Sequence, residues 1–221
     1  MRDVTELARA ERTQLATLLH SLTPQQWQTP SLCAGWSVRD VVAHMLSYEE
    51  LSPVGVVSRF TRGWWRFDRA NAIGVDDYAD HSPEKLLDLL DRSLQPRGLT
   101  TAFGSRIALV DGMIHQQDIR RPLGLARDIP ADRLVPALRF ARIAPPIGAL
   151  RRIRGLRLSA TDLDWTAGGG PEVRGTGEVL LMAMAGRAAV TGELEGPGLA
   201  KLRDRIDTGR ATTRRGRSIR T

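Results

Sequence analysis

The stretch LVDGMIHQQDIRRPLG, Leu109 to Gly124, sets Asp111, His115 and Asp118 at intervals of four and three residues among apolar neighbours such as Val110, Met113 and Ile114. On a helix, residues three and four apart share a face, so Asp111 and His115 stand one turn apart and could chelate a single ion. A carboxylate and an imidazole are both ordinary ligands of a divalent cation. They are equally ordinary partners in a helix-surface ion pair, and the spacing alone leaves both readings open.

The other histidines differ in setting. His44 falls on the flank of an apolar stripe formed by Val38, Val41, Val42 and Met45, where it faces into or along a groove between helices. His20, near the end of a predicted helix, and His81, just before a predicted cap, read as solvent-facing. Cys33 is the single cysteine, which excludes an intrachain disulfide and fits a reducing compartment. With no histidine beside it in the sequence, it reads as small apolar packing rather than as a nucleophile. Trp36 reads as packing at a helix start, where it could line a pocket mouth.

The chain has no Walker loop, G-x-S-x-G elbow, H-E-x-x-H or paired cysteines, which removes the familiar nucleotide, hydrolase and zinc-finger readings. GGGPEVRG sits between predicted strands rather than at a strand-to-helix turn, so it reads as a hairpin turn and not as a dinucleotide loop.

The elements that must position these residues are mostly helical. Val4, Leu7, Ala8, Leu15, Leu18, Leu19 and Leu22 repeat at helical spacing. GWSVRDVVAHMLSYEE opens a second helix, with Ser37 as N-cap and Asp40 as its reciprocal partner. The segment Leu51 to Asp80 predicts a third helix flanked by loops, despite poor periodicity. Ser82 before Pro83 caps a fourth, and Ser105 to Arg121 makes a fifth, ended by Pro122 and Gly124. A short helix precedes two closing prolines. Beyond it, GLRLSATDLDWTAGGGPEVRG predicts a strand, a turn and a second short strand. Two more helices follow, the first capped by Thr176.

The 221 residues suffice for a substantial core, and a hydrophobic share of 42% with 26% charged residues is that of a soluble globular protein. The formal charge is +7, but five arginines lie in the closing RATTRRGRSIRT, leaving +2 on the rest. Such a tail reads as a solvated end rather than a specific nucleic-acid binder. All but two of the 32 basic residues are arginine. No signal peptide or membrane-spanning run is evident, which points to the cytoplasm.

Three motifs in order carry a family resemblance: LCAGWSVRDVVAHM, then LVDGMIHQQDIRRPLG, then LSATDLDWTAGGGPEVRGTGEVLLMAMAGR. Together they resemble the actinobacterial, mycothiol-dependent maleylpyruvate isomerase family, over most of the chain. The resemblance implies a mainly α fold: a DinB-like four-helix bundle over residues 1–145, a small α/β domain of sterol-carrier type over 146–208, and a flexible basic tail over 209–221.

It also implies a divalent metal, zinc foremost with nickel or another ion as alternatives, held by His44, Asp111 and His115. Bundle cores build metal sites in this way, from side chains on facing helices. The resemblance implies an acid-x-x-x-histidine pair, with glutamate in the better-characterised isomerase where this chain has Asp111, one methylene shorter, so direct and water-mediated coordination both stay open. Asp118 would orient His115 or pair with a nearby arginine. Trp36 would line the pocket, and Arg174 would clamp an anion or serve as an ordinary surface residue.

The implied chemistry is activation of mycothiol as thiol cosubstrate, toward an electrophilic or unsaturated acid, in an isomerase or transferase reaction. In the family's named reaction the sulfur adds reversibly to the double bond of maleylpyruvate, the bond rotates, and elimination leaves the trans isomer. The competing reading is a non-catalytic binding or regulatory protein that retains the bundle. The expected partners are small molecules, with no specific nucleic acid and no membrane, in a monomer or homodimer.

Overall fold

Side-chain caps start six of the described helices, those at Ser37, Ser82 and Thr176 where the sequence expects them. In the computed structural model, which describes residues 3–217, Asp3 caps α1 (Val4–His20) and Thr23 caps α2 (Pro24–Trp27). Ser37 caps α3 (Val38–Leu46) through the reciprocal pair with Asp40: Asp40 N donates to Ser37 Oγ at 3.2 Å, and Ser37 N donates to Asp40 Oδ2 at 3.0 Å. Each such cap satisfies backbone donors that have no partner within the helix.

The single helix expected between Leu51 and Asp80 is instead two, α4 (Pro53–Arg62) and α5 (Phe67–Asp76). The break lies at Trp64 and Trp65, both left-handed at φ 53° and 55°, a conformation that ends a right-handed helix. Buried Arg59 of α4 fills the space inside, donating to Ser47 O at 2.9 Å and to Asp77 Oδ2 at 3.1 Å. Ser82 caps α6 (Pro83–Arg92), and α7 (Arg106–Arg120) closes this part of the chain.

The chain divides into two compact units, Met1–Asp128 and Ile129–Thr221. In the first, α1 touches α6 and α7, and α3 touches the same two, so the four helices close a ring. Leu15, Leu19, Val38, Val41, Leu86, Leu90 and Ile119 fill it. Each such fully buried side chain contributes about 1.5–3 kcal/mol relative to exposure. Buried ion pairs tie the ring together. Arg127 donates to Glu11 Oε2 of α1 at 2.6 Å, and Gln116 of α7 donates to Glu11 Oε1 at 3.1 Å. Arg12 pairs with Glu49 just past α3.

In the second unit, α8 (Ala131–Ala141) precedes α9 (Ala149–Ile153), β1 (Arg157–Ala160), β2 (Thr166–Gly168), β3 (Glu172–Gly175), α10 (Gly177–Met184) and α11 (Leu199–Arg217). The unit begins at Ile129 rather than near residue 145 because α8 packs on α10. Gly177 permits this: a Cβ there would lie 3.0 Å from Leu134 and 3.4 Å from Leu138.

The strand order is β2-β1-β3, with β1 antiparallel to β2 and parallel to β3. The three glycines therefore do not form a hairpin turn; they carry the chain past the end of the central strand. Gly168 and Gly170 have φ of 82° and 112°, and a Cβ at either would meet the carbonyl oxygens of Leu156 or Gly155 at 2.3 or 2.6 Å. The backbone of α11 remains helical through Arg217, so residues 209–217 of the expected flexible tail continue a helix anchored by buried Leu202 and Ile206. The last four residues lie outside those described. No helix among the described residues is long and apolar enough to cross a membrane.

Glu11 is fully buried and the Arg127 side chain nearly so. Arg127→Met is expected to strand that carboxylate and to lower the unfolding free energy by about 3–5 kcal/mol in urea titrations. A change below about 1 kcal/mol would mean that Gln116 satisfies Glu11 unaided.

Candidate metal centre

Two helices that are neighbours in the first unit bring the histidines together. His44 lies two turns into α3 from its cap and is 5% exposed, behind Val38, Val41 and Val42, which are fully or almost fully buried. On α7 nearly every side chain from Ala108 to Ile119 is buried, because the helix runs through the middle of its unit. On its polar face His115 and Asp118 are buried, while the Asp111 side chain is about one-third exposed.

Asp111 Oδ1 lies 3.4 Å from His115 Nε2 and 3.9 Å from His44 Nε2. The two imidazoles stand edge to face with ring centres 4.9 Å apart. One ligand atom from each of the three residues falls within 4.8 Å of the other two. Donors around a tetrahedral dication, with bonds near 2.0–2.1 Å, stand about 3.3 Å apart. The two measured separations approach that value, so the shorter acid still reaches both histidines.

On the opposite side of the His115 ring, Nδ1 is 2.9 Å from Asp118 Oδ2, and Asp118 is fully buried. An ionised carboxylate only accepts, so Nδ1–H is the donor and Nε2 is directed toward Asp111. Asp118 thus contacts the His115 ring across one helical turn, the contact its spacing allows.

Trp36 packs on His44 with ring centres 5.1 Å apart. Beside it lies an open cleft of about 600 Å³ lined by Gln28, Pro30, Ser31, Trp36, Arg39 and Asp40. A cavity of about 10 Å³, room for one water, adjoins Asp111, Arg12 and Glu49.

Two residues near the cluster escape a linear reading. Tyr48 meets the other edge of His44 at 5.7 Å, its hydroxyl donating to Asn71 Oδ1 at 2.7 Å and Arg59 standing over its ring at 5.1 Å. The four-residue step from His44 was the available signal. Cys33 packs against the hydrophobic core as expected, and its thiol also donates to Asp118 Oδ2 at 3.1 Å and lies 3.7 Å from His115 Nδ1. No histidine is near it in sequence, but one is near it in space.

The remaining candidates have contacts of their own. His20 pairs with Asp91 at the surface, and His81 stacks on Tyr78. Arg174 is on β3 of the second unit, half-exposed, with its guanidinium 3.6 Å from Glu195; that local pair is its observed contact.

Burial opposes charge on both Asp111 and His115. The neighbouring imidazoles nevertheless hold the Asp111 carboxyl well below the carboxylate range, while Asp111, Asp118 and Cys33 hold His115 well above an ordinary histidine. A raised histidine contributes stability that is fully present below its unfolded value of about 6.5 and is lost as pH climbs through the folded value. The lowered aspartate contributes above about 3.9 and loses its contribution only on further acidification. These are two ends of one interaction. In chelator, the urea midpoint is expected to be highest in weak acid and to decline on the alkaline side, with Asp111→Asn flattening that decline. Parallel curves for the two proteins would mean that the pair does not form.

Residues 8–100 match the family model described as the mycothiol maleylpyruvate isomerase N-terminal domain. The fold is similar to that of two crystal structures of mycothiol-dependent maleylpyruvate isomerase, one of them a histidine-to-alanine mutant, with TM-scores of 0.56 for the mutant and 0.51 for the other. Each is 15% identical, over 88% of this chain and 91% of that chain. No curated protein matches the chain significantly. The family match contains Cys33, Trp36 and His44, whereas Asp111, His115 and Asp118 lie beyond it. Residues 8–100 are thus similar to the mycothiol maleylpyruvate isomerase N-terminal domain, within a chain whose fold is similar to that of those isomerases.

Proposed function

We propose that the chain is a metal-dependent, mycothiol-using enzyme of isomerase or transferase type, built on a DinB-like bundle with a sterol-carrier-like second unit. The observation that carries this reading is the convergence of His44, Asp111 and His115 from two helices within 4.8 Å. Two nitrogens and one carboxylate oxygen suit zinc first and nickel or a similar dication second, and three protein ligands leave a coordination position open. A dication bound there would supply Lewis acidity that stabilises the thiolate of an incoming low-molecular-weight thiol.

The chain's own residues do the rest. Asp118 holds the His115 ring so that Nε2 faces the other two donors. Trp36 and Tyr48 flank His44 and fix its ring. The cleft beside Trp36, lined by Ser31, Arg39 and Asp40 among others, is the size of a small-molecule site. An unsaturated or otherwise electrophilic acid is the substrate class that such a thiolate would attack.

The protein, purified without a metal-chelating tag, is expected to carry close to one equivalent of zinc or nickel, lost in both His44→Ala and His115→Ala. No bound metal in the wild type, even after exposure to zinc, would leave the non-catalytic alternative. Asp118→Asn is expected to retain the fold and to weaken metal affinity roughly 10- to 100-fold in competition with a chromophoric chelator. Unchanged affinity would remove the orienting role of Asp118.

A further inference from the structure

The second ring nitrogen of His115 faces a donor set of its own. Cys33 Sγ, His115 Nδ1 and Asp118 Oδ2 form a triangle with sides of 3.1, 3.7 and 2.9 Å, and all three atoms lie within 4.8 Å of one another. Cys33 is brought there by a tight loop. Its own N–H donates to Ser31 Oγ, Trp36 N–H donates back to Cys33 O, and Leu32 N–H donates to Asp118 O across to α7.

We propose that Cys33, His115 and Asp118 form a second cation site, selective for thiophilic dications such as cadmium or excess zinc, sharing His115 with the His44 centre through opposite ring nitrogens. The proposal goes beyond the function argued above and does not depend on it, since two of its three donors, Cys33 and Asp118, are not ligands of the first centre.

Around a tetrahedral dication, nitrogen and oxygen donors stand about 3.3 Å apart and a sulfur donor slightly farther from each, given bonds of about 2.0–2.1 and 2.3 Å. The observed sides bracket those values, so small side-chain shifts complete the site. A thiolate beside an imidazole and a carboxylate is a softer set than His44, Asp111 and His115, which is why the two sites differ in preference.

Charge also balances, because a thiolate and a carboxylate together neutralise a dication. Binding exchanges the thiol and Nδ1 hydrogens, both now directed at one Asp118 oxygen, for the cation, and releases them to solvent. The bond given up at sulfur is a weak one. Asp118 is fully buried and His115 nearly so, but Cys33 is partly exposed and offers the way in. Occupancy would take Asp118 from its hydrogen bond to His115, so a thiophilic ion here would alter the neighbouring centre.

The chain has one cysteine, so any sulfur-to-cadmium charge-transfer absorption reports on this position alone. Chelator-treated, tag-free protein titrated with cadmium chloride is expected to develop that near-ultraviolet band. Cys33→Ser should lack it. Asp118→Asn and His115→Ala should require at least roughly tenfold more cadmium, and His44→Ala should keep the wild-type midpoint, with circular dichroism confirming each fold.

No band in the wild type overturns the proposal. So does an equal midpoint in Asp118→Asn and His115→Ala, which would mean that the thiol binds cadmium alone, or loss of the band in His44→Ala. Resident zinc lost in His44→Ala with no cadmium band leaves the first centre standing without the second; a cadmium band without resident zinc does the reverse.

Discussion

Asp118 Oδ2 is the atom on which the arrangement around His115 turns. It is fully buried, and a buried carboxylate is costly unless hydrogen-bond donors surround it. His115 Nδ1 and the Cys33 thiol both supply hydrogen bonds. The same requirement that keeps this carboxylate satisfied fixes the His115 ring, and the fixed ring leaves Nε2 aimed at Asp111. Without that constraint the imidazole could turn over, and the three donors of the proposed metal centre would no longer converge.

A polar face inside an apolar bundle also has to be held from the other side. The pairing of Glu11 with Arg127 and Gln116 binds α1 to α7, and Arg12 with Glu49 binds α1 to the end of α3. These groups are enclosed together, so none can move without exposing another to an apolar environment. Where Gly112 passes Glu11, a Cβ would stand 3.2 Å from the Glu11 side chain, which shows how closely the two helices approach. The same buried pairs link α1 to α7, which carries Asp111 and His115, and to the end of α3, which carries His44.

The segment between α3 and α6 serves the same end. Its break at Trp64 and Trp65 turns α5 back so that Asn71 receives the Tyr48 hydroxyl and Arg59 reaches under the turn to Ser47 and Asp77. His44 is thereby enclosed between Trp36 and Tyr48, and only its Nε2 edge is directed toward α7. In the second unit the physical theme is close approach rather than charge, with Gly168, Gly170 and Gly177 placed where any side chain would collide with backbone or with leucine.

What the sequence determined by itself is local. The capping pair of Ser37 and Asp40, the apolar stripe ahead of His44, and the one-turn step from Asp111 to His115 follow from hydrogen bonds and periodicities spanning a few residues. Their outcome can be read without knowing what lies opposite. The tertiary structure decided which faces meet: His44 with Asp111, and Cys33 with His115 across 82 positions. It also decided that the glycine turn joins strands on opposite sides of β1, and that α8 belongs with α10. These depend on the packing of whole elements, whose free energy is shared among many side chains, so no single spacing along the chain encodes them.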